Sequence, residues 1–379
     1  MTIKKTKLLQ NTSSFAFDFI NLTKAVTTFF SNLVRTRIFN SDAKRGPLFI
    51  SWLCTYRCNA DCLFCNASEM NKLHPETLSL ERSLEIAHQI GRAKTWVVGF
   101  TGGEVLLWPY LFDVIHVLKQ YGVNVYIITN GMLLKQNVEK IIDAKVDAVV
   151  VSIDSLDPQE HDYNRRRKGL YDFLIEGIKY LKEKRKGEKP LIKSMSIFSR
   201  RSYLNIEETI TQLLKIVDVA SIQPIVSDYV NSPHGIKKEE ITSFFPEVEE
   251  ESAIKNALGR LIKKFSFFNN FYFKNIPTYW FHPERLLKIK CWAPFLRLLI
   301  MPDGNVVHCA ANSKYSSVGN LKDMTLMEVW NGPEIKRHRE ELRRGENNCI
   351  CWSQDVSFNA FLYSLSLMNR LPVFKKHFR

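Results

Sequence analysis

From Pro47 onward the sequence alternates short apolar runs rich in Val and Ile with longer segments of helical periodicity. The runs are Leu48–Tyr56, Trp96–Thr101, Val123–Thr129, Ala148–Ile153, Leu191–Phe198 and Val219–Val226. Between them lie helical patterns at Ser79–Ile90, Tyr110–Tyr121, Leu133–Ala144, Tyr171–Lys182 and Ile206–Val217. Runs without polar alternation suit strands buried on both faces, and strands separated by helices pair in parallel through right-handed crossovers. The expected class is α/β, a partial (β/α)6 TIM-like barrel with a small C-terminal cysteine-rich extension. In such folds chemistry gathers where the strands end.

The first run ends in Cys58-Asn-Ala-Asp-Cys62-Leu-Phe-Cys65. Three thiolates on one short loop can hold three irons of an iron–sulfur cluster and leave the fourth open. A centre that only carries electrons usually takes four cysteines, so this spacing points to chemistry at the cluster. Half a zinc site would need a second C-x-x-C or a His pair close by, and the next cysteine is Cys291. Disulfides do not suit a chain of 379 residues with eight cysteines and no secretory signal pattern. A reducing compartment, the cytoplasm, is expected. Cys54 reads as a small apolar residue.

The later strand ends carry polar groups. The second leads into Thr101-Gly102-Gly103-Glu104, with glycines that admit close backbone approach to a ligand and an acid able to pair with an ammonium group. The third ends in Thr129-Asn130-Gly131. The fourth ends in Ser152-Ile153-Asp154, whose two polar side chains share one side by period two, and the sixth carries Gln223-Pro224. Gly-Gly and Asn-Gly are commonest as plain turns; their recurrence at successive strand ends is the signal.

With Cys58-x-x-x-Cys62-x-Phe64-Cys65 and Gly102-Gly103-Glu104 in this order, the chain resembles radical S-adenosylmethionine (radical SAM) enzymes over roughly residues 47–230. The resemblance implies a 4Fe-4S cluster on Cys58, Cys62 and Cys65, with the amine and carboxylate of S-adenosylmethionine chelating the open iron. It places Phe64 near the adenine, and Gly102, Gly103 and Glu104 at the methionyl amine. Ser152 and Asp154 match ribose and methionine contacts, and Asn130 sits near the same pocket. Arg165 matches an arginine that meets the cofactor carboxylate, with Arg166 and Arg167 as adjacent alternatives. The implied reaction is reductive cleavage to a 5′-deoxyadenosyl radical that abstracts hydrogen from an unidentified substrate. A reductant such as flavodoxin or ferredoxin is implied with it.

Downstream, Cys291, Gly304 and Cys309 flank a Pro-Asp-Gly turn expected to close a β-hairpin, and Cys349-Ile-Cys351 follows. This order resembles the SPASM or twitch extension, which implies a second, auxiliary 4Fe-4S cluster on Cys291, Cys309, Cys349 and Cys351. The family more often shows C-x-x-C where this chain has Cys349-x-Cys351, and a four-cysteine zinc site is the rival reading. The expected organisation is a basic amphipathic N-terminal segment (1–46), a core barrel (47–235), an aromatic-rich helical linker (236–288), the cluster domain (289–355) and a basic aromatic tail (356–379).

A net charge of +14 favours anionic partners. Residues 15–34 have helical apolar spacing interrupted by Asp18 and Lys24, too polar for a membrane span. Such a helix suits either an anionic membrane surface or the enzyme's own barrel. Residues 265–281 and the tail around Phe358, Phe361, Phe374 and Phe378 mix aromatic with basic residues. Core packing explains most of these aromatics; a peripheral membrane contact and a lipid-linked or amphipathic substrate are the sharper reading. Dispersed basic residues disfavour nucleic acid. A peptide- or protein-modifying maturase is the alternative, and a non-catalytic iron–sulfur scaffold or electron carrier the second.

Overall fold

The computed structural model describes residues 27–28, 30–39, 41–226, 241–287, 289–309, 317–346 and 351–352. Six parallel strands form in the expected order: β1 (Phe49–Leu53), β2 (Val97–Thr101), β3 (Asn124–Thr129), β4 (Ala148–Ser152), β5 (Leu191–Phe198) and β6 (Val219–Pro224). The helices between them begin where the sequence supplies caps. Ser79 accepts a hydrogen bond from the Arg82 N–H ahead of Leu80–Arg92. Asp157 does the same for Gln159 ahead of Pro158–Arg165, with Pro158 in the first turn.

Alternate strand residues, among them Trp52, Phe100, Ile127 and Val151, share one core with helix residues such as Ile86, Leu118, Ile141 and Leu181. Each such side chain contributes on the order of 1.5–3 kcal/mol of burial. Period two therefore turns the intervening residues, Thr101, Ile128 and Ser152 among them, to the other face of the sheet.

The sheet is open, and it does not stop at the sixth unit. Three further strands, β7 (Arg297–Ile300), β8 (Asn305–Val307) and β9 (Gly319–Asn320), extend it in the order β6-β5-β4-β3-β2-β1-β7-β8-β9. The expected hairpin is β7–β8, antiparallel with Leu299 opposite Val307, turning through Gly304 at φ +84°. Its first strand lies parallel to β1, with Phe49 opposite Arg297 and Trp52 opposite Ile300. The extension thus continues the sheet along the edge of the strand that feeds the cysteine loop.

The aromatic stretch 265–281 is largely interior. Phe268, Tyr272, Phe273 and Ile276 are buried, and Trp280 stacks on Phe198 with ring centres 5.2 Å apart. Trp352 returns from the extension to stack on Tyr272 at 5.6 Å and accepts a hydrogen bond from the Tyr272 hydroxyl on its carbonyl oxygen. Core packing accounts for the rings of 265–281, three of them buried and the rest half-buried against the core.

Of the N-terminal segment, the described part ends in a π-helical turn, Val34–Ile38. Leu33 packs against Leu48, Trp292, Phe295 and Leu296, and the Arg37 guanidinium stands 4.4 Å from the Trp292 ring. It rests on the extension and on the start of the barrel sheet, around Leu48, Phe49 and Trp96. Residues 1–26, the tail from 353 and Cys349 lie outside the described residues. No helix among the described residues is long and apolar enough to cross a membrane.

Candidate active site at the three-cysteine loop

Backbone straps fix the loop that leaves β1. The Gly103 N–H donates to the Thr55 carbonyl at 2.7 Å and the Glu104 N–H to the Arg57 carbonyl at 2.8 Å. Gly102 has φ +145°, and a β-carbon there would fall under 3.0 Å from the Thr55 carbonyl oxygen. One at Gly103 would crowd the carbonyls of Tyr56 and Arg57 in the same way. Sequence reasoning assigned the two glycines to close approach of a ligand. The approach that demands them is that of the cysteine loop's own backbone. From the opposite side, the last turn of Pro158–Arg165 offers carbonyls: Leu63 N–H donates to Asn164 at 2.9 Å and Asp61 N–H to Arg165 at 3.3 Å. Cys54 is buried, with its sulfur 3.3 Å from the Thr101 carbonyl, and takes no part in the loop.

Beneath the glycines, the Glu104 carboxylate is fully buried. It accepts from the Leu106 N–H at 3.0 Å, the Thr129 hydroxyl at 2.7 Å and the Asn130 N–H at 2.8 Å. Burial pushes its pKa up, against the pull of those donors. It ties the end of β2 to the end of β3. Asn130, held this way, turns its side-chain amide to the loop, with Nδ2 2.7 Å from Asn59 Oδ1 and 3.9 Å from Cys58 Sγ.

A second buried carboxylate works alike. Asp154 accepts from Arg165 Nε at 2.8 Å and from the Ile197 N–H at 3.1 Å, fixing a guanidinium that lies 5.4 Å from the Phe64 ring centre. Burial opposes the charge on Arg165, but Asp154 and the nearby Cys62 and Cys65 outweigh it and raise its pKa. His161, one turn earlier, accepts from the Asp154 N–H at 3.3 Å through Nδ1, and burial lowers its pKa to about 4.

These elements enclose a cavity of about 150 Å³. Cys58, Cys62, Cys65 and Phe64 form one side; Gly102, Gly103, Asn130, Ser152 and Arg165 form the rest. Glu104 and Asp154 stand behind this wall and hold it. The structure thus brings the cysteines, Phe64, Gly102, Gly103, Asn130, Ser152 and Arg165 to one cavity. Burial pushes the Cys58 thiol up to about 11 and Cys62 to about 12, so metal binding there must displace protons. Sequence reasoning missed Asn59 and His161, and named Thr129 only as part of the turn after β3. Thr129 and Asn59 directly precede and follow residues it did single out, and His161 had no local signal.

The donor set suits an iron–sulfur cluster. Three thiols of one loop face one cavity. Asn66, next to Cys65, is 4 % exposed, and its Nδ2 has no acceptor among the described residues. In the extension, Cys291, Cys309 and Cys351 are half-buried, and Cys291 Sγ accepts from the Ala293 N–H at 3.4 Å.

An open parallel sheet with a three-cysteine loop on its first strand defines a cluster-bearing α/β domain. The model of the radical SAM superfamily matches residues 52–210 and that of an iron–sulfur cluster-binding domain, SPASM, matches residues 291–353, so the chain carries a domain of each kind. Domains of these two kinds carry a 4Fe-4S cluster with S-adenosylmethionine and auxiliary iron–sulfur, respectively. The chain is 26% identical over 220 residues to an AdoMet-dependent heme synthase of Methanosarcina barkeri, covering 55% of this chain and 61% of that one. It is 25% identical over 313 residues to the antilisterial bacteriocin subtilosin biosynthesis protein AlbA of Bacillus subtilis, covering 80% of this chain and 64% of that one. It therefore spans less than two thirds of either relative. Among solved structures, Streptococcus suis SuiB bound to precursor peptide SuiA superposes with a TM-score of 0.58 at 16% identity, over 81% of this chain and 69% of that one. That likeness shows the fold.

Proposed function

We propose that this chain is a radical SAM enzyme that acts on a peptide or protein. The observation that carries the enzymatic reading is the cavity itself: three thiols face Gly102, Gly103, Ser152 and Arg165 across about 150 Å³. When bound, the cluster and S-adenosylmethionine supply reductive cleavage of the sulfonium and hydrogen-atom abstraction by a 5′-deoxyadenosyl radical. Cys58, Cys62 and Cys65 hold three irons. Gly102 and Gly103, with the Glu104 carboxylate beneath them, form the side that receives the methionyl amine. Arg165, pinned by Asp154 and 5.4 Å from the Phe64 ring centre, would hold the cofactor carboxylate, and Phe64 would hold the adenine. Ser152 faces the ribose. Cys291, Cys309, Cys349 and Cys351 hold an auxiliary cluster, and a flavodoxin- or ferredoxin-like protein supplies electrons.

The peptide reading rests on the similarity to the subtilosin biosynthesis protein, which covers 80% of this chain. The burial of the rings in 265–281 removes much of the support for a lipid-linked substrate. Anaerobic reconstitution, followed by dithionite and S-adenosylmethionine, should yield 5′-deoxyadenosine, and Cys62→Ala should yield none. Intact clusters with no cleavage would leave a non-catalytic iron–sulfur scaffold as the better account.

A further inference from the structure

We propose that Lys193, on the face of β5 that adjoins the three-cysteine cavity, is a specificity-determining residue that receives a carboxylate of the substrate. Along β5 the residues Leu191, Lys193, Met195 and Ile197 are partly exposed, and those between them are buried. The strand β3 alternates in the same way, with Tyr126 and Ile128 partly exposed, and β6 does so at Val219 and Ser221. Ile192 and Phe198, from the buried set, belong to the core under the helices. By period two the partly exposed set lines the opposite face, which water reaches. Ile197 joins Leu63 and Phe64 of the cysteine loop there, so this face is the one the loop covers.

Strand register places Lys193 just below the cavity. Met195 lies opposite Ser152, and Lys193 lies opposite Val150, which is opposite Ile128 in turn. Ser152 and Ile128 both line the cavity. Lys193 is thus two strands from Ile128, about 10 Å across the sheet, and its flexible four-carbon stem covers much of that gap. The ground between is low, formed by Ala148 and Val150 of β4. The Tyr126 ring leans the other way, over β2, where a β-carbon at Gly99 would collide with it. Burial lowers the Lys193 pKa to about 8, so the ammonium stays mostly charged at neutral pH but is poorly hydrated. A carboxylate arriving here gains a charge-assisted hydrogen bond in a screened site, and an amide of the same shape gains far less.

The inference rests on the peptide reading above and names the group such a peptide presents. The full chain is reconstituted anaerobically and loaded with S-adenosylmethionine, without reductant. Three libraries of N-acetylated heptapeptides, randomised over uncharged residues, are compared by equilibrium dialysis. One carries a central Glu and a C-terminal amide, one a central Gln and a C-terminal amide, and one a central Gln and a free C-terminus. A carboxylate library should be retained at least tenfold over the uncharged one, and the library that is retained tells a side-chain carboxylate from a chain end. Lys193→Met should abolish the preference and Lys193→Arg should preserve it. Lys193→Met should not lower the melting temperature, because it fills a similar volume without a buried charge. A preference that survives in Lys193→Met, or equal retention of all three libraries by the wild-type chain, would overturn the inference. If the same wild-type preparation still yields 5′-deoxyadenosine once dithionite is added, the inference falls alone. If it yields none, the proposed function falls and the inference with it.

Discussion

A β-carbon decides what Gly103 is for. In the folded chain it would fall under 3.0 Å from the carbonyl oxygens of Tyr56 and Arg57, which are backbone and cannot swing aside. Gly103→Ala should therefore destabilise the cluster-free chain by about 1–3 kcal/mol, as overpacking does. The denaturant midpoint measures it. An unaltered midpoint with lost cofactor binding would mean that the glycine serves the ligand. His161 offers a pH test. Burial, with the Arg165 charge beside it, lowers its folded pKa to about 4, below the ordinary value of 6.5. The folded state therefore keeps it neutral while the unfolded chain protonates. Its contribution to stability is complete above pH 6.5 and falls as pH drops toward 4, by about 3 kcal/mol in all. His161→Gln should flatten that part of the stability–pH curve. A curve of the same slope would place the acid sensitivity elsewhere.

At the scale of elements, the six β–α units were legible because Val- and Ile-rich runs alternate with helical spacing, and each strand formed within a few residues of its expected bounds. The hairpin at Pro302-Asp303-Gly304 was legible from its turn chemistry. Its partner was not: Leu298–Ile300 is a short apolar run that says nothing about which edge it joins, and only the fold places it beside β1. The pairings of Asp154 with Arg165 and of Glu104 with Asn130 were hidden for the same reason, since each crosses between elements. Period and spacing reveal which side chains share a face, not which groups meet across a sheet. The β1–β7 pairing makes its own prediction. Native-state hydrogen exchange should find the amides of Leu298–Ile300 opening with those of Ile50–Trp52, at free energies within ~1 kcal/mol of each other. Low-energy opening of β7 alone would make the extension a separate cooperative unit.

The whole molecule carries +14 charges, yet the rings of residues 265–281 pack within or against its core. Trp280 is stacked on Phe198, Tyr272 on Trp352, and Phe268 is fully buried. What remains for a membrane, within the described residues, is charge and a few exposed apolar side chains, among them Phe30, Ile38 and Phe39 beside Arg35 and Arg37. Charge at a lipid surface is screened over about 10 Å at 0.1 M salt and about 3 Å at 1 M, whereas apolar insertion is not weakened by salt. Attachment through that charge should therefore be ionic. Vesicles rich in anionic lipid should co-sediment with the chain at low ionic strength and release it in 1 M salt, and neutral vesicles should not bind it. Retention in 1 M salt would require apolar anchors, at Phe30, Ile38 and Phe39 or among residues 1–26 or 353–379, and replacing or deleting each in turn would show which. No binding at low salt would leave the positive charge to another anionic partner, such as an acidic reductant docking near the cluster. Cross-linking to reduced flavodoxin at the same ionic strengths would test that partner directly, because steered association weakens with salt in the same way.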